Sequence, residues 1–218
     1  MFTHTKTPSL IDLPSQITNN QRWYTLPDGT KLPSITTVLG QKEKPALQNW
    51  RQSLGPAKAD KETKRCSDRG TAVHLMAERY LNNEEDCTRD QIQEHIRLFN
   101  QLKLKLGEIT NIRAQEVALY SEQLKVAGRT DCIAEFEGIL SIIDFKTATN
   151  NKDLELVQDY FLQATAYAIM FHERTEIPIE DIVIIIAVEK GLMPLVFKDK
   201  IDNYVKPLLE RINTFYRK

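Results

Sequence analysis

The run Ile139-Leu-Ser-Ile-Ile143, followed at once by Asp144-Phe145-Lys146, constrains this chain more than any other stretch. Residues two apart on a strand project to the same face. Leu140, Ile142, Asp144 and Lys146 therefore share one face, and Ile139, Ile143 and Phe145 the other. A strand that is apolar on both faces belongs in the middle of a covered sheet. A carboxylate there is costly to bury unless it is paired or bound to a metal. Just upstream, Gly128-Arg-Thr-Asp131 leads into Cys132-Ile-Ala-Glu-Phe136, and Glu137-Gly138 supplies a turn. The two runs predict a β-hairpin with one carboxylate on each strand, Asp131 and Asp144, and Lys146 beside the second. Two carboxylates next to a lysine suit a hard divalent cation and a water made nucleophilic by it.

Other chemistry-bearing residues flank the hairpin. Arg69-Gly70-Thr-Ala-Val-His74 opens a proline-free stretch whose apolar residues recur at helical spacing. His74 then sits on a helix, either packed there or offering a neutral imidazole beside the carboxylates. Downstream, Asp153 is placed to cap a helix reaching about Arg174. On it Gln163 and Tyr167, four residues apart, share a face. Phe161, Ala164, Ala168 and Phe171 form a separate stripe for the sheet. The amide and phenol are either ordinary surface and core residues or the lining of a polynucleotide path.

The patterning predicts the remaining elements. Pro27-Asp28-Gly29 is a turn signal between short strands at 23–26 and 31–33. Helices are expected at 45–54, at 57–81 with a break near Gly70, at 88–106 capped by Thr88, and at 202–216. Strands are expected at 112–121, 125–136, 139–147, 181–189 and 195–198. The order is α-β-β-β-α-β with helices added in front. We expect one domain over 1–218, with residues 1–110 forming a hairpin and helical cover and 111–218 the sheet and its helices.

Three cysteines, Cys66, Cys87 and Cys132, are odd in number and widely spaced, which fits neither a disulfide framework nor a zinc site. They are too few for a four-cysteine iron–sulfur cluster. No Gly-x-x-x-x-Gly-Lys-Ser/Thr loop appears, so no nucleotide motor is expected. Net charge is −1, which argues mildly against nucleic acid. Between Lys44 and Arg69, however, lie seven basic residues and three acidic ones. That run is either a solvated helical surface or a wall tracking phosphates toward His74. Trp50 and Tyr80 are candidates to stack on bases or to pack inside. No apolar run approaches a membrane span. The first residues show neither a signal-peptide core nor an Arg-rich transit pattern, so cytoplasm of a bacterial or phage-infected cell is expected.

Gly70-x-x-x-His74, Gly128-x-x-Asp131, Asp144-x-Lys146 and Gln163-x-x-x-Tyr167 occur in the order of the four motifs of RecB-type PD-(D/E)XK nucleases, which this chain resembles. The segment Leu32-Pro-Ser34-Ile-Thr-Thr-Val-Leu39, the hairpin from Asp131 to Gly138, and Leu162-Gln-Ala-Thr-Ala-Tyr167 narrow the resemblance. They are similar to the mitochondrial genome maintenance exonuclease family and its phage and bacterial relatives, from about Pro33 onward. The resemblance implies an α/β, restriction-endonuclease-like αβββαβ core, a mixed central sheet flanked by helices, with an added N-terminal helical region. It implies that His74, Asp131 and Asp144 hold Mg²⁺ or Mn²⁺ and that Lys146 activates or positions water; we expect the backbone carbonyl of Phe145 as a further ligand. Glu116 falls where the family favours a glutamate, and its expected role is to organise the surrounding shell. Gln163, Tyr167, Arg69 and Ser34 are expected to support the centre or touch DNA.

The implied activity is a metal-dependent DNA exonuclease that digests single strands from free ends in replication, repair or recombination. No iron–sulfur cluster or nucleotide cofactor is expected. The expected partners are DNA and a helicase, polymerase or single-strand-binding protein, with no membrane and the chain acting as a monomer. A structure-selective endonuclease and a non-catalytic nucleic-acid-binding module remain open as alternatives.

Overall fold

A computed structural model describes residues 1–8, 10–42 and 45–217. In chain order its elements are β1 (Ser15–Thr18), β2 (Gln21–Thr25), β3 (Lys31–Pro33), α1 (Ile35–Leu39), α2 (Pro45–Leu54), α3 (Pro56–Leu81) and α4 (Gln93–Leu106). They continue with β4 (Ile109–Ser121), β5 (Val126–Phe136), β6 (Ile139–Ala148), α5 (Leu154–Thr175), β7 (Asp181–Val188), β8 (Leu195–Lys200) and α6 (Asp202–Tyr216). One sheet has the order β4-β5-β6-β7-β8, and a smaller one the order β1-β2-β3. In the large sheet only β6 and β7 run parallel. A parallel neighbour needs a crossover, and α5 supplies it. The expected αβββαβ order and mixed sheet are both present.

Helices cover the sheet on both sides. On one face α3 and α4 bury Val73, Met76, Leu98 and Phe99 with Ile143, Phe145 and Ile185. On the other, α1, α5 and α6 bury Ile35, Phe161, Phe171 and Leu208 with Ile133, Ile142 and Ile184. This double cover is why β6 and β7 are apolar on both faces. Asp153 caps α5 as expected, its carboxylate accepting the Leu156 N–H at 3.0 Å.

Several expectations shift. Helix α3 runs through Gly70 without a break. A Cβ on Gly70 would meet only Thr147 Oγ1 at 3.8 Å, an ordinary contact, so neither a clash nor a special backbone angle forces a kink. Thr88 does not cap α4. Its amide and hydroxyl bond to Asp86 Oδ1 at 3.1 Å, which holds it in a preceding turn. Strand β1 was not expected. Asn19 and Asn20 both take left-handed backbone angles, which asparagine tolerates in a two-residue hairpin turn. The short α1 was also not expected, although Ser34 caps it by accepting the Thr37 N–H at 3.0 Å.

The basic run is largely neutralised within the protein. Arg51 pairs with Asp60, Lys64 with Asp68, and Arg65 with Glu62 and Glu189. Arg69 is buried, pairs with Glu189 at 2.8 Å, and donates to the hydroxyls of Thr147 and Thr149. It is therefore no phosphate contact; it ties α3 to the sheet. Lys44, part of the same run, lies outside the described residues. Tyr80 packs edge-on between Phe2 and Phe99, so it does not serve as a base-stacking platform. Trp50 stays half-buried beside Lys58 and Lys61.

Glu189 thus joins α3 to the end of β7. Its hydrogen bonds from Arg65 hold its carboxyl down at about 2, against 4.5. A depressed carboxylate stabilises fully above its unfolded value and loses that contribution as pH falls toward the folded one. Glu189→Ala leaves buried Arg69 unpaired, and we expect it to cost about 3 kcal/mol in chemical denaturation near neutral pH. The deficit should shrink as pH falls below about 4.5; equal stability of the two proteins at neutral pH would contradict this.

Candidate active site

The site lies where β5 and β6 part. Their pairing runs from Phe136↔Ile139 to Cys132↔Ile143 and goes no further. Beyond it the Phe145 N–H donates to Asp131 Oδ2 at 2.8 Å. A side chain thus takes the acceptor position that a backbone carbonyl would fill in a continued ladder. Strand β6 keeps pairing with β7 through Asp144↔Ile184 and Lys146↔Ile186, so only the β5 side opens. Within a strand the N–H and C=O of one residue face the same neighbour. The Phe145 carbonyl therefore also faces the fork, as a ligand role for it requires.

Gly128 has a packing reason. A Cβ there would stand 2.7 Å from Tyr167 Cε1 and 3.2 Å from its hydroxyl. The phenol ring of α5 lies directly against the β5 backbone, and no side chain fits between. Tyr167 in turn accepts from Gln163 Nε2 at 3.0 Å, and that amide nitrogen lies 3.3 Å from Asp144 Oδ1. Asp144 is 1% exposed. Lys146 Nζ donates to its Oδ1 at 2.6 Å and lies 2.5 Å from its Oδ2. The Lys146 ammonium also sits 5.2 Å from the centre of the Tyr160 ring.

On the other side of the fork, His74 Nδ1 is 3.5 Å from Asp131 Oδ1. Glu116, opposite Asp131 on β4, joins them. One ligand atom from each of His74, Glu116 and Asp131 lies within 4.8 Å of the others. Glu116 adopts a left-handed backbone angle, φ 45°, a strained state for a non-glycine residue that tends to occur at functional sites. Expected as a supporting residue, Glu116 instead stands among the inner carboxylates. Asp144, expected among the ligands, lies outside that trio; its Oδ1 meets Lys146 and Gln163, while its buried Oδ2 lies near the Lys146 ammonium without a hydrogen bond.

These groups face one cavity of about 530 Å³. His74, Glu116, Asp131, Lys146, Gln163, Tyr167 and Ser34 all line it. Arg69 is not among its lining residues. Arg22, Thr36 and Glu78 line it too and were not singled out from the sequence. Glu78 had a signal, four residues after His74 on one helix face. Arg22 had none, because its place depends on how the small sheet docks.

The electrostatics show too much negative charge for the space. Burial, then the charge of Asp131, push the Glu116 carboxyl up to about 7. Burial also raises Asp144, against the pull of Lys146. Asp131 goes the other way: burial opposes ionisation, but His74, Lys146 and the Phe145 amide outweigh it. Burial disfavours the charged Lys146 and His74, yet the carboxylates hold both above their ordinary values. Two carboxylates, an imidazole and a facing carbonyl form a donor set that fits a hard divalent cation. Such an ion would offset the burial and the Asp131 charge that favour a proton on Glu116.

Comparison with known proteins gives the family. The profile of the PD-(D/E)XK nuclease superfamily matches residues 48–191, and the chain belongs to that superfamily. It is also similar to curated proteins named Mitochondrial genome maintenance exonuclease 1. The mouse protein is 30% identical over 145 residues, covering 62% of this chain and 43% of the relative. The human protein is 28% identical over 178 residues, covering 77% and 50%. The Xenopus tropicalis protein is 26% identical over 168 residues, covering 72% and 47%. The chain thus spans about half the length of the curated relatives it matches. Among the described residues no helix is long and apolar enough to cross a membrane.

A carboxyl with a raised folded-state value binds its proton more tightly when folded, so stability falls as pH rises between the two values. For Glu116 that window runs from 4.5 to about 7. A bound divalent cation removes the penalty, and its binding displaces the proton. We expect Mn²⁺ to raise the melting temperature more at about pH 8 than at about pH 6, by on the order of a few degrees. Glu116→Gln should weaken that pH dependence, leaving the part due to the His74 proton, and an equal Mn²⁺ effect at both pH values in wild type would contradict the assignment.

Proposed function

We propose that this chain is a metal-dependent DNA exonuclease that hydrolyses phosphodiester bonds in single strands from free ends. The observation that carries the reading is the His74–Glu116–Asp131 trio at the strand fork, with the buried Asp144–Lys146 pair beside it. We assign His74, Asp131, Asp144 and the Phe145 carbonyl to the metal, as expected from the sequence, and add Glu116. Mg²⁺ or Mn²⁺ bound there supplies a Lewis acid for the scissile phosphate and a water of lowered pKa.

The chain's own residues do the rest. Asp144 and the Tyr160 ring hold the Lys146 ammonium at the cavity wall, where it donates to the attacking water and offsets charge growing on the phosphate. Asp144 fixes the lysine and, through its remaining lone pairs, takes part in metal binding. Gln163 links Asp144 to Tyr167, so the α5 face sets the carboxylate's orientation. His74 enters from the opposite layer and holds Asp131 while that residue also clamps Phe145. Attack displaces the 3′-oxygen and leaves a 5′-phosphate. The work is that of one domain acting as a monomer on DNA in replication, repair or recombination, beside a helicase, polymerase or single-strand-binding protein.

Asp144→Asn should lower cleavage of a labelled single-stranded oligonucleotide by on the order of 10³-fold or more while retaining DNA binding. Wild-type turnover in the purified variant would sink the assignment. A linear strand should be degraded with Mg²⁺ or Mn²⁺ and spared with EDTA, and a closed single-stranded circle should resist. Rapid cutting of the circle would instead show an endonuclease.

A further inference from the structure

The cavity at the fork does not end there. Arg22 and Thr36 line both it and a second cavity of about 350 Å³. The polar lining of this second space is three side-chain amides (Asn20, Gln21, Gln41), two hydroxyls (Thr36, Thr37) and Arg22. Among the described residues no carboxylate lines it, whereas Glu78, Glu116 and Asp131 line the first. A space of roughly this size is at the small end of ligand pockets and has room for about one nucleotide.

The cations of the joined space are not equivalent. Lys146 is paired with Asp144. Arg129 is paired with Asp12 at 2.7 Å and also donates to the Glu116 carbonyl. The Arg22 side chain has no carboxylate partner among the described residues. Its backbone, by contrast, is fixed. The Arg22 N–H donates to Thr37 Oγ1 at 3.0 Å, and its carbonyl accepts the Ser34 N–H at 2.8 Å. Ser34 Oγ donates to the same Thr37 hydroxyl at 2.9 Å. Strand β2 is thereby locked to the start of α1, and an exposed, uncompensated guanidinium is held where the two cavities meet.

We propose that the second cavity is the subsite for a nucleotide one step removed from the linkage being cut, with the Arg22 guanidinium neutralising the neighbouring, uncut phosphate that joins that nucleotide to the one at the cleavage site. A guanidinium gives a phosphate a bidentate, charge-assisted contact. The amides and hydroxyls both donate and accept, so they serve sugar and base edges without demanding one sequence. Ser34 acts here as a positioning residue, through Thr37 and Arg22, and makes no contact of its own. The proposal rests on the nuclease reading above.

The test uses the full chain and single-stranded oligonucleotides in which one phosphate at a time is replaced by an uncharged methylphosphonate. The rate constant kcat/KM for release of the terminal product is measured for wild type, Arg22→Gln and Arg22→Lys. Arg22→Gln alone should lower kcat/KM on the unmodified strand by about tenfold, with Arg22→Lys recovering part of the loss. At one linkage beside the scissile one, the methylphosphonate should cost wild type about tenfold and Arg22→Gln less than about twofold, because the partner of that charge is already gone. Equal losses in wild type and Arg22→Gln at every linkage would overturn the subsite while leaving the nuclease reading intact. A wild-type protein inactive on every strand with either metal would overturn both. Arg22 is exposed and its side chain makes no hydrogen bond or ion pair among the described residues, so the variants are expected to fold.

Discussion

The hydrogen bond from the Phe145 amide to the Asp131 carboxylate governs the arrangement around it. A buried backbone N–H must find an acceptor, and at this point β5 offers a side chain instead of a carbonyl. That exchange lets two strands separate without stranding a donor. The opening it creates leaves the Phe145 carbonyl facing the fork, brings the flank of β4 into reach, and leaves β6 anchored there by β7 alone. Asp131 does structural and chemical work with different oxygens: Oδ2 closes the fork, and Oδ1 faces His74.

Around the fork the carboxylates are kept in different states by their surroundings. Asp144 is the most deeply buried and depends on one lysine for its charge. Asp131 is kept ionised by three partners. For Glu116 the pull of His74 and Arg129 does not outweigh burial and the charge of Asp131, and it sits on a strained backbone, so it is the group most ready to exchange a proton for a metal ion. A cluster satisfied internally would have little to gain from a cation. This one is left incomplete on the side that faces solvent-accessible space.

Much of this was legible in the sequence. The five long strands, α5 with its Asp153 cap, and the reach of Asp131 toward Asp144 and Lys146 followed from period-two and helical patterning, because burial on both faces leaves a strong apolar signature. The place of Glu116 did not follow, since a left-handed residue inside a strand has no pattern of its own. Arg69 read as a surface cation because sequence shows charge but not partners, and Glu189, which neutralises it, is far away in the chain. Strand β1 was hidden because all four of its residues are exposed and carry no alternation. Arg22 could be placed only once the docking of the small sheet was known.

Helix α3 and helix α5 lie on opposite faces of the sheet, and each sends side chains to the same fork. This division has a consequence for biosynthesis. The chain segment carrying His74 is made well before the one carrying Gln163 and Tyr167, and β6 is enclosed only when β7, later still, has been added. No early folding unit contains the centre, because neither half of the three-layer stack holds more than part of it. A nascent molecule that still exposes unpaired strands thus lacks the assembled fork, which is complete only with the last layer.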